Sequence, residues 1–134
     1  MLKKIFILLL IGSVFLPAQS KILIFMDGRQ TDHLKAYGVT YHALEQNLIA
    51  DWLLNYRGGS FMIDYSDRVA AECRIEGVAF EVLSSADAAH IYAIVQSEDN
   101  NSEVIRLETP PKIAVYVPPG FQPWDDAVTL ALEY

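Results

Sequence analysis

The stretch Lys21–Gly38, KILIFMDGRQTDHLKAYG, constrains the fold more than any other in the chain. After Lys21 it runs apolar to Met26 without polar alternation, the pattern of a strand buried on both faces. Asp27-Gly28 closes the run with a turn signal. Leu34, Tyr37, Tyr41, Leu44 and Leu48 then recur at spacings of three and four, which marks one face of a helix. Thr31 or Asp32 can cap that helix, because a side-chain oxygen there accepts from a free N–H of the first turn. Gly38 falls on the apolar stripe, where a missing side chain lets helix and sheet approach.

The remainder of the chain repeats the alternation. Ile49–Tyr56 reads as a second strand and Arg57-Gly58-Gly59-Ser60 as a turn. Phe61–Asp64 then either completes a hairpin or leads into the next helix. Ser66–Glu76 is predicted as a helix ended by Gly77, and Val78–Leu83 as a strand. Ser84–Gln96 is a helix capped by Ser84 or Ser85, with Ala88, Ile91, Tyr92 and Val95 inward and His90 off the stripe. Glu103–Leu107 alternates charge with apolar residues, as an edge strand does. Thr109-Pro110-Pro111 is a stiff linker, followed by a strand at Lys112–Val117 and a helix from Gln122. Asp125 and Asp126 complement the dipole of that helix's first turn.

The predicted fold class is therefore α/β: three layers, a mostly parallel sheet with helices on both faces, after a cleaved signal peptide. Residues 1–20 are the signal peptide, 21–108 an α/β domain, and 109–134 a linker with the first strand–helix unit of a further domain that continues past Tyr134. Lys3 and Lys4 give the basic start, and Ile5–Leu16 is an apolar core too short to span a bilayer. Pro17-Ala18-Gln19-Ser20 places small residues for cleavage after Ser20. The expectation is export to the periplasm or the extracellular space, with no stable membrane anchor after cleavage. Removing the two lysines takes the net charge from −7 to −9. An acidic surface of that size argues against a nucleic-acid partner. Cys73, the single cysteine, excludes an internal disulfide. It shares a helical face with Val69 and Ala70, so a buried, inert thiol is expected.

The polar residues fall into two loops. Asp27, Arg29, Gln30, Thr31, Asp32 and His33 follow the first strand; Asn55, Arg57, Gly58, Gly59 and Ser60 follow the second. In a parallel sheet both loops open at the strand carboxyl ends, where ligands bind and helix N-termini favour anions. Arg29 and Arg57 add fork-shaped donors for a carboxylate or phosphate. The expected partner is thus a small polar or anionic ligand. The glycines fit neither a dinucleotide fingerprint nor a phosphate loop, no Cys/His spacing suits a metal, and no cofactor is called for.

The runs QTDHLKAYGVTYHALEQ, WLLNYRGGSF, AECRIEGVAFEVLS and PPKIAVYVPPGFQPWDDAVTLALEY together resemble a family of exported bacterial proteins labelled "asparagine synthetase B". From Lys112 the chain also resembles the opening of a class I glutamine-amidotransferase-like domain. The resemblance implies an amide-handling enzyme in a longer protein, with its nucleophilic cysteine beyond Tyr134. The SGGxDS loop and amino-terminal cysteine of glutamine-hydrolysing asparagine synthetases are not matched here: Arg57–Ser60 lacks the following aspartate and serine. Three functions remain open at this point: a binding module, an amidotransferase-like enzyme, and an interaction domain without a small-molecule site. No catalytic residue is assigned.

Overall fold

A computed structural model describes residues 19–97, 99, 101–112 and 114. The leader, and the strand and helix expected from Lys112 onward, lie outside the described residues. Five strands and three helices follow in the order β1 (Lys21–Ile24), α1 (His33–Glu45), β2 (Ala50–Leu54), β3 (Ser60–Asp64), α2 (Asp67–Glu76), β4 (Phe80–Leu83), α3 (Ser85–Val95) and β5 (Glu103–Leu107).

The strands form one sheet in the order β4-β1-β3-β2-β5, and every neighbouring pair is antiparallel. This overturns the expected mostly parallel sheet. β1 and β2 do run in the same direction, joined by α1, but β3 is inserted between them. β3 and β4 likewise flank β1 and are joined by α2. The first six elements thus make a βαββαβ unit of two split βαβ turns, the ferredoxin-like arrangement. α3 and β5 are added to it. The hairpin reading of Arg57–Ser60 holds: Leu53 pairs with Ser60 across a five-residue loop, Asn55–Gly59.

The apolar run of β1 reported coverage rather than direction. Ile22 and Ile24 face α1 and α2, packing with Ala36, Val39, Ala43, Val69, Ala70 and Cys73. Leu23 and Phe25 face α3, packing with Ala88, Ile91 and Val95. β1 is therefore buried on both sides in the middle of an antiparallel sheet, and direction leaves no mark on such a run.

α1 also corrects the predicted inward stripe. Its buried residues are Ala36, Val39, Thr40, Ala43 and Leu44, whereas Leu34 is 82% exposed, Tyr37 49% and Tyr41 38%. Of the predicted stripe, Leu44 is buried and Leu48 packs against the core, but Ala36, Val39, Thr40 and Ala43 make most of the wall against the sheet, while Leu34 stands in solvent and Tyr37 and Tyr41 are partly exposed. Gly38 is not a close approach either, since a Cβ there would meet nothing within 4 Å. Asp32 is the N-cap, accepting from the Lys35 N–H at 3.0 Å. Ser84 caps α3 and Gly77 ends α2 in the left-handed region at φ 72°.

Candidate functional site

β1 and β2 both finish at the same end of the sheet, where the hairpin loop turns, so the two predicted loops do meet. The contact is close. Gly58 sits at φ 81°, and a Cβ on it would lie 2.1 Å from the Met26 carbonyl oxygen. Gly59 follows at φ 88°, with its carbonyl accepting from the Trp52 indole N–H at 3.0 Å. Asn55 and Arg57 also have positive φ, 60° and 48°, which makes this loop unusually left-handed for non-glycine residues. Ser60, buried, donates its hydroxyl to the Arg57 carbonyl. Asn55 donates to the Asn101 carbonyl and so ties the hairpin to the start of β5.

The polar groups of this ledge largely satisfy one another. Asp27 folds its own loop, accepting from the Arg29 N–H at 3.0 Å, while its carbonyl accepts from the Gln30 N–H. Its other carboxylate oxygen accepts from Arg57 Nε at 2.8 Å. The Arg29 N–H and the Arg57 guanidinium together hold the Asp27 carboxyl below the usual carboxylate range. Gln30 is a bracket. Its amide nitrogen donates to the Phe25 and Ala79 carbonyls and its amide oxygen accepts from the Ala79 N–H, joining the end of β1 to the approach of β4. It is only 5% exposed. His33 Nε2 lies 3.2 Å from the Met26 carbonyl, and Thr31 is exposed beside the Asp32 cap.

Above the ledge the two arginines converge. Arg57 stacks 4.0 Å and Arg29 4.7 Å from the centroid of the buried Phe25 ring, so one aromatic ring orients both guanidinium groups. Arg57 uses its Nε edge for Asp27, and a guanidinium carries five N–H donors.

Arg57 also lines a cleft on the α3 side, about 360 Å³ in volume. Tyr56, Glu81, Asp87 and His90 share its walls, over Leu23, Leu83 and Ile91. The antiparallel register sets this grouping: Glu81 lies opposite Leu23 on β1, and the first turns of α3 bring Asp87 and His90 over the same strand end. Tyr56, Glu81, Asp87 and His90 were not among the sequence candidates. Tyr56 adjoins Arg57 in the hairpin loop, Asp87 and His90 lie one turn apart on α3, and the pairing of β4 with β1 sets Glu81 beside Leu23. Asp87 is partly committed, since it exchanges hydrogen bonds with Ser84 as a helix cap.

Cys73 lies apart from this cleft, on the opposite face of the sheet and fully buried under α2. Burial pushes its thiol up to about 11, with the neighbouring Glu72 charge adding to the shift. Among the described residues no group of three or more His, Cys, Asp or Glu is placed to hold a metal ion, and no helix is long and apolar enough to cross a membrane. No family model, curated protein or solved structure matches the chain.

Proposed function

We propose that this chain is the ligand-binding unit of an exported protein, and that its ligand is a small polar molecule carrying a carboxylate, most simply an amino acid. The observation that carries the reading is the position of Arg57. It is fixed by Asp27 and Phe25 on the ledge and lines a polar cleft large enough for a small molecule. A guanidinium held in this way is a bidentate partner for a carboxylate. Glu81 and Asp87, on the walls of the same cleft, supply the opposite charge for an ammonium group. A zwitterion meets both. It also avoids the cost that a net charge of −9, that of the chain after loss of Lys3 and Lys4, imposes on the approach of a plain anion. An amino acid accords with the resemblance to amide-handling proteins.

The amidotransferase-like reading draws less from the described residues. Cys73 is their one thiol, and a thiol raised to about 11 and sealed in a core is a poor nucleophile.

Calorimetric titration with asparagine, glutamine, glutamate and inorganic phosphate tests the proposal. Binding of an amino acid that weakens by about 1.5–3 kcal/mol in Arg57→Ala supports it, the range expected for a lost charged hydrogen bond. Equal binding by the variant, or no heat from any of the four, removes it. Amino-terminal sequencing of secreted product, expected to begin at Lys21, checks the export half.

A further inference from the structure

On the face of the sheet opposite α3, the helical layer is incomplete. α1 and α2 pack over β1, β3 and the approach to β4. Beyond α1, the ends of β2 and β5 on that face have no helix above them among the described residues. The result is a groove of about 720 Å³ whose walls are the aromatic rings of Tyr37, Tyr41, Trp52 and Phe61, with Leu44 and Leu107 completing them. Trp52 stacks on Phe61 at 6.2 Å, and Tyr37 meets Phe61 edge-on at 5.6 Å. Tyr37 and Tyr41 of α1 border the groove, which is where their partly exposed rings lie. Exposed apolar surface of this kind in one place marks a binding surface.

The groove's lip is formed by Thr109, Pro110, Pro111 and Lys112. From this lip the chain runs through the apolar Ile113–Val117 and Pro118-Pro119-Gly120 into a second apolar stretch. That stretch includes Trp124, Val128, Ala131 and Leu132, spaced i, i+4, i+7 and i+8, one face of a helix. A helix from Gln122 to Tyr134 is about 20 Å long at 1.5 Å per residue, and helices in one layer pack about 8–10 Å apart. The link from Lys112 to Gln122 reaches about 30 Å when extended, ample for a return over β2 and β5. A tether this short holds the segment at an effective concentration in the millimolar range.

We propose that the segment Gln122–Tyr134 docks in this groove as a third helix beside α1, with Trp124, Val128, Ala131 and Leu132 against Trp52, Phe61, Tyr37 and Tyr41. The docked helix completes the layer and covers the aromatic surface in cis.

The test uses the full chain carrying Trp124→Phe, so that Trp52 is its only tryptophan. Acrylamide quenching of Trp52 is compared with and without Val128→Asp and Leu132→Asp, which lie on the segment and leave the sheet and its helices untouched. Docking predicts a protected, blue-shifted Trp52 whose quenching constant rises roughly two-fold when the two aspartates are introduced, as the indole becomes open to water. The protection must be independent of protein concentration. Equal quenching in both chains overturns the proposal. Protection that grows with concentration overturns it as well, because the occupant is then a second copy of the chain.

Discussion

Gly58→Ala is the sharpest perturbation of the ledge. A Cβ at residue 58 would stand 2.1 Å from the Met26 carbonyl oxygen, 2.6 Å from its carbon and 3.0 Å from the Asp27 nitrogen. All three are backbone atoms, so no side-chain rotation relieves the contact, and the two loops must separate by about an ångström to reach ordinary van der Waals distance. Two costs combine. Holding an L-residue at φ 81° costs about 1–2 kcal/mol, and the forced backbone shift about 1–3 kcal/mol more. Two other glycines separate these effects. Gly77 is also left-handed, at φ 72°, but faces open space, so Gly77→Ala should cost about 1–2 kcal/mol through strain alone. Gly28 has neither constraint, and Gly28→Ala should be neutral or stabilise by about 0.4–1 kcal/mol through a less flexible unfolded chain. Urea denaturation of the three variants, followed by circular dichroism, should rank Gly58→Ala lowest, about 2–5 kcal/mol below the parent. A Gly58→Ala variant no less stable than Gly77→Ala would refute the close approach of the two loops.

Other perturbations read the remaining contacts. Gln30→Ala should cost about 1–3 kcal/mol in chemical denaturation by leaving buried backbone groups at Phe25 and Ala79 unpaired; no loss would mean the bracket is not formed. Tyr92 donates to Asp51 at 2.6 Å, and burial, then that bond, raises its pKa above the ordinary tyrosine value. Its folded pKa exceeds its unfolded one, so its contribution is complete below about pH 10 and is lost as pH rises beyond that. Absorbance at 295 nm should show a late-ionising tyrosine signal that Tyr92→Phe reduces; Tyr65, held by its bond to Asp67, is raised as well and remains. Cys73 should react with a thiol reagent only as fast as the protein unfolds; rapid labelling of the native chain would show that α2 does not seal it.

Much of the local structure was legible from the residues. The β1 run, the Gly77 stop, the inward face of α3 and the burial of Cys73 follow from apolar spacing, and capping chemistry narrowed two helix starts to Thr31 or Asp32 and Ser84 or Ser85, of which Asp32 and Ser84 are the caps. Strand direction was not legible, because Ile22–Phe25 is apolar for being covered on both faces, and either sheet type produces that. The stripe of α1 misled for a related reason: Tyr37 and Tyr41 repeat with helical spacing but border a groove, while the buried wall is made of Ala36, Val39, Thr40 and Ala43. Leu44 alone of the helix's predicted stripe is fully on the buried wall.

The candidate residues divide in the same way. Arg57 and Asp27 were found as loop residues and do come together, although for a reason the parallel reading did not contain: β1 and β2 point the same way with β3 between them. Gln30, Asn55, Gly58, Gly59 and Ser60 are accounted for by backbone bonds, brackets and close approach. The meeting of Arg57 with Glu81 and with the Asp87 and His90 turn of α3 had no sequence signal, because the β1–β4 register places Glu81 and the start of α3 beside β1.

If Arg57 anchors a small zwitterion in the cleft beside the ledge, the amide groups around it must respond to that ligand. Chemical-shift mapping of the amide signals during titration with the amino acid that binds in calorimetry tests it most directly. Saturable shifts are expected at Asp27–Arg29, Tyr56–Gly59 and the Glu81 and Asp87–His90 walls, with the groove residues Tyr37, Tyr41 and Trp52 unmoved. Shifts confined to the groove, or none at the ledge at saturating ligand, would contradict it.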